Sequence, residues 1–425
     1  MTAMRSIWIV NHYAGGPGIG TGWRHWELGR RWAAAGVEVR VFTASTAIGG
    51  TADPGRDGTR TVDGVEFRFL RVPAYTGNGV GRLRNVIAFN RAVAHAMQHA
   101  AWVASPPDIV IASSPQPFVW GAASRFARGA GASFVPEVRD LWPESLEQLG
   151  GLPSWHPMVA WCRRVVHRGY RDADAVASTL PGIARCLRPL GVTADRCLVI
   201  PNGVDLRVDV SPLRDELELE VSRAHGAGRQ LLLYAGAIGV PNAMDQLVDA
   251  VALLQPARRA NLRCLIAGEG TERARIERRA MATDPDVFRF LGHVPQDQVR
   301  ALMRRARAGF QGWLDLPLYR HGTSAQKISL MLGEGLPVIH AAPDAPDPVQ
   351  DHGLGWACPA QRPAELAAAI EAMLDADQGS LAGMSERCRA HVRAHLDWDA
   401  IAPRALGELQ RVVGRRAKAR GMVDR

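Results

Sequence analysis

Short apolar runs alternate with predicted helices along the whole chain, and this alternation limits the possible folds more than any other feature. In the first half, the strand-like runs are SIWIV, VEVRVFTA, VEFRFLRV, DIVIASS and ASFVPEVRD. In the second half, they are LLLYAG, LRCLIAG, VFRFLG, ARAGFQG and PVIHA. Helices are predicted between these runs, near residues 22–35, 81–104, 243–255, 271–282 and 297–305. Strands separated by helices in this way are typical of a parallel sheet with helices on both faces.

The chain of 425 residues is long enough to form two such sheets. The acidic stretch 206–229, which is poor in aromatic residues, separates the two sets of strands. We therefore predict an α/β fold of two doubly wound, Rossmann-like domains, residues 1–205 and 206–395, facing each other across a cleft. Residues 396–425 are predicted to form a C-terminal helix and basic tail that packs back toward the first domain. Ligands of such sheets bind at the carboxyl ends of the strands.

Composition argues against several other classes of protein. With 47% hydrophobic and 22% charged residues, the chain resembles a soluble globular protein rather than a disordered one. The six cysteines include no C-x-x-C pair, so we expect reduced thiols and no zinc site. The apolar run Ile7–Val10 near the N-terminus is too short for a signal peptide or a membrane span, and a cytoplasmic location is expected.

Positive charge is concentrated in the first half of the chain. Residues 1–200 hold 22 Arg against 14 Asp and Glu, which accounts for +8 of the net charge of +9. This charge favours contact with anionic lipid at the inner membrane surface or with a diphosphate-linked acceptor. An arginine-rich solvated surface is the alternative interpretation. No nucleic-acid-binding module is recognisable, so nucleic acid is not an expected partner.

Seven segments in the same order resemble the retaining glycosyltransferases of family four, in the branch that builds bacterial surface polysaccharides. The segments are NHYAGGPGIGTGWRHWELGRRWAAAGVEVRVFTA, VRDLWPESLEQLG, VIPNGVD, LYAGAIG, LIAGEG, FLGHVP and HGTSAQKISLMLGEGLPVI. The resemblance implies the GT-B fold, a nucleotide diphosphate sugar as donor and transfer with retention at the anomeric carbon.

Donor phosphates need backbone N–H groups, a helix N-terminus and small residues that allow close approach. Lys327 lies on the first turn of a predicted helix and is the candidate charge that stabilises the leaving diphosphate. The resemblance adds His293 and Val294 at the nucleobase and Glu269 near the donor. Further donor-binding candidates, most of them small residues after predicted strands or before helices, are Gly18, Gly20, Gly236, Ala237, Gly322, Thr323, Ser324 and Leu330.

Four positions depart from the pattern of the family. The family carries Arg and Lys after the first strand of the second domain, where this chain has Ala237 and Asn242. It also carries two glutamates eight positions apart, where this chain has Gly322 and Leu330. Glu334 follows four residues later, about one helical turn along.

Acceptor-binding candidates lie in the first domain. The glycine-rich loop Gly15–Gly22 is predicted to face the donor phosphates and the acceptor, and Arg24 and His25 follow it. Arg139 and Asp140 follow a predicted strand, at the edge where ligands bind. We assign Asp140 to the acceptor hydroxyl, Arg139 to an anionic group, and both, with Lys327, to catalysis; Glu144 is a further acceptor contact. An ion pair between neighbouring residues is the structural alternative for Arg139 and Asp140.

The expected function is transfer of a sugar from a nucleotide diphosphate sugar, with a UDP-sugar favoured, to an acceptor hydroxyl. No cofactor or metal is expected, since no D-x-D motif follows a predicted strand. A polyprenyl-diphosphate sugar is the preferred acceptor, and a soluble natural product is the alternative. A nucleotide-sugar 2-epimerase of the same fold and a non-catalytic nucleotide-sugar-binding protein are the competing hypotheses.

Overall fold

A computed structural model describes residues 4–47, 49–53, 55–77, 79–98, 105–115, 117–419 and 421. They form two compact units. The first contains the chain up to Pro201 together with the segment from Trp398, and the second is Asn202–Asp397.

The described residues of the first unit contain a sheet of eight strands in the order β3-β4-β2-β1-β5-β6-β7-β8. All neighbouring strands are parallel except β3, which pairs antiparallel with β4. The strands are β1 (Ser6–Val10), β2 (Glu38–Ala44), β3 (Thr59–Val62), β4 (Val65–Leu70), β5 (Ile109–Ser113), β6 (Ser133–Val138), β7 (Val176–Ser178) and β8 (Cys197–Val199).

The second unit contains, in its described residues, a fully parallel sheet of six strands in the order β11-β10-β9-β12-β13-β14. The strands are β9 (Gln230–Ala235), β10 (Leu262–Ala267), β11 (Phe288–Gly292), β12 (Ala308–Gly312), β13 (Val338–Ala342) and β14 (Gly355–Pro359). The two sheets and their intervening helices confirm the predicted α/β class.

The helices are α1 (Arg24–Ala34), α2 (Val80–Met97), α3 (Trp120–Ala130), α4 (Pro157–Asp172), α5 (Ile183–Leu187), α6 (Asp215–Gly226), α7 (Asp245–Leu253), α8 (Pro256–Ala260), α9 (Arg273–Thr283), α10 (Gln296–Arg305), α11 (Gln326–Gly333), α12 (Pro348–Asp351), α13 (Pro363–Asp375), α14 (Gln378–His391) and α15 (Trp398–Ala419). The five predicted helices are confirmed as α1, α2, α7, α9 and α10. Residues 99–104 of the second prediction lie outside the described residues. Among the described helices, none is long and apolar enough to cross a membrane.

Apolar side chains cover both faces of the first sheet. On β1, Ile7 and Ile9 belong to one buried cluster, whereas Trp8 and Val10 belong to the other. This division follows from the two-residue period of a strand. Burial on both faces explains why β1 is a continuous apolar run instead of an alternating one.

The C-terminal helix α15 packs on the first unit. Its residues Trp398, Ile401 and Leu409 are buried in the same cluster as Ile7. The indole Nε1 of Trp32 in α1 also donates a hydrogen bond of 2.8 Å to the backbone oxygen of Ala402. The chain therefore returns to its first unit after completing the second.

Candidate functional site

Glycine turns follow strands of the second sheet at its carboxyl edge and lie against one another. The backbone N–H of Gly236, after β9, donates to the oxygen of Ala267 at 2.9 Å, and that of Gly268 donates to the oxygen of Gly292 at 2.7 Å. Gly268 has φ +153°, and a Cβ there would lie 1.9 Å from the oxygen of Gly236. Only glycine fits this position, so the loops form an edge with exposed backbone and little side-chain bulk.

Lys327 brings a cation to this edge. Its Nζ donates to Oδ1 of Asn242 at 2.8 Å and to the hydroxyl of Tyr234 at 3.1 Å, and it lies 4.6 Å from the centroid of the Tyr234 ring. A Cβ at Gly236 would lie only 2.9 Å from the same Nζ. Burial lowers the pKa of Lys327 to about 8. Within the described chain, no carboxylate pairs with Lys327, so this cation is surrounded by neutral dipoles and is suited to an incoming anion.

Tyr234 and Asn242 were not predicted as site residues. Asn242 occupies a position where the resemblance leads one to expect lysine, and here it holds the Lys327 ammonium group. The Tyr234 hydroxyl donates to the oxygen of Ala237 at 2.5 Å, which leaves its oxygen free to accept from Lys327. The departure at Asn242 was visible in the sequence, but its contact with a residue 85 positions away was not.

The loop before α11 carries Gly322, Thr323 and Ser324. Ser324 is fixed by Asn202, whose backbone N–H donates to the Ser324 Oγ at 3.1 Å and whose Nδ2 donates to the Ser324 oxygen at 2.8 Å. The hydroxyl of Ser329 donates to the backbone oxygen of Asn202 at 3.2 Å. Asn202, in the segment VIPNGVD, is therefore a third residue, after Tyr234 and Asn242, that was not predicted as a site residue.

Neither Leu330 on α11 nor Glu334 directly after it provides a free carboxylate for a ribose. Leu330 is partly buried against the hydrophobic core. Glu334 is buried, and its carboxylate pairs with Arg300 and, at 2.6 Å, with Nε of Arg304. The Glu334 carboxylate, four residues after the expected position, therefore forms ion pairs within the second unit.

The remaining donor candidates of the second unit follow β9, β10 and β11 at the same edge, whereas Gly18 and Gly20 lie in the glycine-rich loop of the first unit. Ala237, Glu269 and His293 are exposed, whereas Val294 is buried. Glu269 pairs with Arg273 at the start of α9. Their roles as donor contacts stay predictions, but the topology brings them to the edge that holds Lys327.

In the first unit, Glu137 at the end of β6 lies at the centre of a buried charged cluster. Its Oε1 accepts from Nε and Nη2 of Arg24 at 3.0 and 2.8 Å, and its Oε2 accepts from Nε2 of His25 at 2.9 Å. Arg24 also donates to the backbone oxygens of Ile200 and Pro201, both at 2.7 Å. These contacts join α1, β6 and the chain after β8.

The electrostatics of this cluster favour a charged Glu137. Burial alone would raise the pKa of the carboxyl group, but Arg24, His25 and Arg139 outweigh burial and hold that pKa well below its usual range. Burial also lowers the pKa of His25, against the attraction of Glu137. Because Arg24 and His25 are buried and engaged, their geometry favours positioning of the strand end over direct contact with an acceptor.

Arg139 and Asp140 follow Glu137 beyond the end of β6. The backbone N–H of Arg139 donates to Oγ of Ser114 at 2.9 Å, which fixes the start of this segment. Asp140 is exposed at the surface, yet nearby protein atoms displace water from its carboxyl group and raise its pKa, against the effect of Arg139. No ion pair joins these two neighbours in the part of the chain that the structure describes. Both groups, and the partly buried Glu144, stay candidate acceptor contacts.

A buried arginine holds the glycine-rich loop of the first unit. Arg56 is 2% exposed, and its guanidinium group donates to the backbone oxygens of Ala14 at 2.8 Å, Ile19 at 2.9 Å and Ala44 at 3.0 Å. A Cβ at Gly20, where φ is +99°, would lie 2.8 Å from Nη1 of Arg56. The glycine-rich loop is therefore tied to β2 by Arg56, a residue that was not predicted from the sequence.

Two family models match the chain in succession. The glycosyl transferase 4-like domain matches residues 19–203, and the model for glycosyl transferases group 1 matches residues 229–376. The chain belongs to the glycosyltransferases. Comparison of the sequence with curated proteins finds no match.

Solved structures of other GT-B glycosyltransferases share this fold. Sucrose-phosphate synthase from Thermosynechococcus elongatus has 19% identity and a TM-score of 0.71, over 97% of this chain and 99% of that one. Anabaena HepE in complex with UDP has 15% identity and a TM-score of 0.67, over 96% and 100%. WaaG, described as a glycosyltransferase involved in lipopolysaccharide biosynthesis, has 16% identity and a TM-score of 0.64, over 95% and 99%. At these identities the likeness shows the fold alone.

Proposed function

We propose that this glycosyltransferase moves a sugar from a nucleotide diphosphate sugar, with a UDP-sugar as the preferred donor, to an acceptor hydroxyl with retention at the anomeric carbon. The observation that carries the proposal is Lys327, a cation without an ion-pair partner in the described residues, held by Tyr234 and Asn242 beside the turn at Gly236. Such an arrangement suits a diphosphate, because an anion there meets a positive charge and accessible backbone together.

In the proposed reaction, the bond between the anomeric carbon and the diphosphate oxygen breaks as the acceptor oxygen forms its bond to the same carbon. The electron pair leaves with the diphosphate, where Lys327 and the N-terminal N–H groups of α11 stabilise it. The acceptor proton passes to an oxygen of the leaving phosphate. Asp140 orients the acceptor hydroxyl, and Arg139 binds an anionic group of the acceptor. The negative charge on the diphosphate develops as the bond breaks. Groups that stabilise this charge lower the energy of the transition state more than that of the bound substrate, and they therefore lower the barrier.

The choice of donor and acceptor has separate support. HepE, which shares the fold, is named as a complex with UDP, and this favours UDP among the nucleotides. The excess of arginine in the first half of the chain favours a lipid-linked acceptor and peripheral contact with the inner face of the cytoplasmic membrane. Assembly of polysaccharide or glycolipid is the process that such an acceptor indicates. The proposed reaction is written without a cofactor or a metal ion.

A non-catalytic nucleotide-sugar-binding protein is the second candidate. It is favoured by Ala237 and Leu330, which replace a basic residue and an acid of the family pattern, and by the engagement of Glu334 with Arg300 and Arg304. Both candidates predict binding of a nucleotide diphosphate. They differ in whether the glycosidic bond of the donor breaks.

Slow hydrolysis of the donor separates the two candidates. We expect the protein, incubated with UDP-glucose, UDP-galactose or UDP-N-acetylglucosamine, to release UDP from one of them faster than buffer does, because glycosyltransferases transfer sugar to water when no acceptor is present. Proton NMR of the first sugar released, before it mutarotates, is expected to show the anomer of the donor. Release of the inverted anomer contradicts retention, and intact donor despite measurable UDP binding favours the non-catalytic candidate. Lys327→Met provides the control for a contaminating hydrolase, because a contaminant stays active in that preparation.

A further inference from the structure

We propose that one face of α4 and the loop before it form a docking surface for an anionic lipid bilayer. This docking face consists of Leu149, Trp155, Trp161, Arg164, Arg168 and Arg171. The inference deepens the proposed lipid-linked acceptor by assigning the contact to particular residues of the first unit. Only the role assigned to this surface, which is to bring the enzyme to a lipid-linked acceptor, rests on the proposed function. Binding of the surface to lipid is measurable without any transfer reaction.

The aromatic part of the docking face is unusually exposed. Trp155 is 78% exposed, the highest fraction among the large apolar side chains in the described residues, and Trp161 is 40% exposed. Leu149, which precedes Trp155 in the segment between β6 and α4, is 39% exposed. Indole rings favour the interface between lipid headgroups and acyl chains, where one part of the ring is apolar and the N–H stays hydrated. Exposed tryptophans on a soluble unit therefore suit a membrane surface better than bulk water.

Trp161 is held in place before any membrane is met. Its ring stacks on Phe118 at a centroid distance of 4.3 Å and an interplanar angle of 15°. The stacked ring loses little conformational freedom when its open side enters an interface. Trp161 thus acts as a rigid apolar anchor at the edge of α4.

Arginines continue the same face of the helix. Trp161, Arg164, Arg168 and Arg171 are separated by three, four and three residues, the spacing that places side chains on one helical face, and all four are exposed. Arg164, Arg168 and Arg171 also line one groove, of about 640 Å³, together with the exposed Leu190. Positive charge beside apolar anchors is the pattern of proteins that lie on anionic membranes.

One acidic residue of α4 offsets only part of this charge. Asp172 is 11% exposed at its side chain and lies 3.3 Å from Arg128, 3.6 Å from Arg168 and 3.9 Å from Arg171, so one carboxylate is shared among three arginines. Glu147 is paired at 3.1 Å with Arg163, which is not part of the docking face. Arg164 makes no ion pair in the described part of the chain. Each basic residue near an anionic bilayer contributes about 1 kcal/mol of attraction.

The position of the docking face along the chain links it to the acceptor. The chain leaves β6 through Arg139 and Asp140, reaches Leu149 nine residues later and then passes through Trp155 into α4. The candidate acceptor residues and the docking face thus belong to one continuous stretch. A membrane held at this stretch would present a lipid-linked acceptor close to the strand end.

Vesicle sedimentation tests the docking face with the full-length protein. We expect it to bind vesicles of phosphatidylcholine with about 30 mol% phosphatidylglycerol, to bind pure phosphatidylcholine much less, and to dissociate as salt rises. The variant Trp155→Ser/Arg164→Ser is expected to lower the partition coefficient at least about tenfold. The matched control is Leu253→Ser/Arg278→Ser, which removes one exposed leucine and one exposed arginine from the second unit. This control is expected to bind like the wild type.

The outcomes distinguish this inference from the proposed function. Equal vesicle binding by the test and control variants overturns the docking face, as does equal binding to neutral and anionic vesicles. Tighter binding to a single-stranded RNA, lost in the test variant, overturns it in favour of nucleic acid. A shift of the melting temperature by UDP is measured for every variant. A UDP-induced shift that persists in the test variant shows that the fold and the donor site are intact. If UDP shifts the melting temperature of none of the proteins, this result counts against the proposed function, and the vesicle experiment alone decides the docking face.

Discussion

Replacement of Lys327 by Met is expected to lower kcat by about 100- to 1000-fold while leaving the fold intact. The estimate corresponds to removal of one group that stabilises charge developing in the transition state. Methionine keeps much of the length of the side chain and places no charge beside Tyr234 and Asn242. The measurement is steady-state donor hydrolysis or transfer, with the melting temperature of each protein measured in parallel.

Lys327→Arg is the matched control, since it retains the charge but not the compact ammonium geometry. We expect it to keep a larger part of the activity than Lys327→Met. Equal rates for the wild type and Lys327→Met would remove Lys327 from the mechanism. A loss of both activity and folded structure in Lys327→Met would instead assign the residue a structural role.

The pH dependence of UDP binding gives a second readout for Lys327. Because burial lowers the pKa of this group in the free protein to about 8, the cation is present below pH 8 and is lost as the pH rises through that value. The Kd for UDP is therefore expected to increase above pH 8 by up to about tenfold per pH unit, and this limb is expected to be absent in Lys327→Met. Stability changes in the opposite direction: between about pH 8 and the ordinary lysine pKa of about 10.4, the unfolded chain binds the extra proton, so this group increases stability as pH rises.

Replacement of Glu137 by Leu is expected to destabilise the first unit by about 3–5 kcal/mol. The substitution leaves the buried guanidinium of Arg24 without its carboxylate, and an unpaired buried charge is among the largest single penalties in proteins. Urea unfolding followed by tryptophan fluorescence is a suitable measurement, because most of the 12 tryptophans lie in the first unit.

Glu137→Gln and Asp57→Asn provide matched isosteric changes. Asp57 pairs with Arg71 at 3.2 Å on the surface, with side chains 59% and 85% exposed, and its replacement is expected to leave the urea midpoint almost unchanged because solvent screens the pair. The low pKa of Glu137 in the folded protein, set by Arg24, His25 and Arg139 against burial, contributes stability above the unfolded pKa that is lost as the pH falls through the acidic range. Glu137→Gln is expected to flatten this acid limb. Equal shifts of the urea midpoint in Glu137→Gln and Asp57→Asn would show that the buried cluster does not stabilise the first unit.

The α/β architecture was predictable because its signals are local. Runs such as SIWIV and QLLLYA are buried on both faces as β1 and β9, and the spacing of apolar residues between such runs located five of the helices. The acidic stretch 206–229 shows the limit of this reasoning. It contains α6, whose Leu217, Val221 and Ala224 pack into the core of the second unit, although the surrounding charges suggested only a connection.

The side-chain partners within the site were not predictable for the same physical reason. Glu137 meets Arg24 across 113 residues, and Lys327 meets Tyr234 across 93. Such contacts depend on which strands become neighbours, and no periodic pattern encodes that. Lys327 could be identified because a helix N-terminus after small residues is a local signal, whereas Arg56 could not, since a buried arginine within a loop looks like any solvated one.

Thermal unfolding with UDP, GDP, ADP, CMP and dTDP, each with the wild type and Lys327→Met, tests most directly the claim that the second unit binds a donor diphosphate through Lys327. A nucleotide at 100 times its Kd stabilises the folded protein by about 2.7 kcal/mol, which is a readily visible shift in melting temperature. We predict a shift with UDP that exceeds those with the other four nucleotides and is strongly reduced in Lys327→Met. Folded wild-type protein that none of the five nucleotides stabilises would contradict the claim.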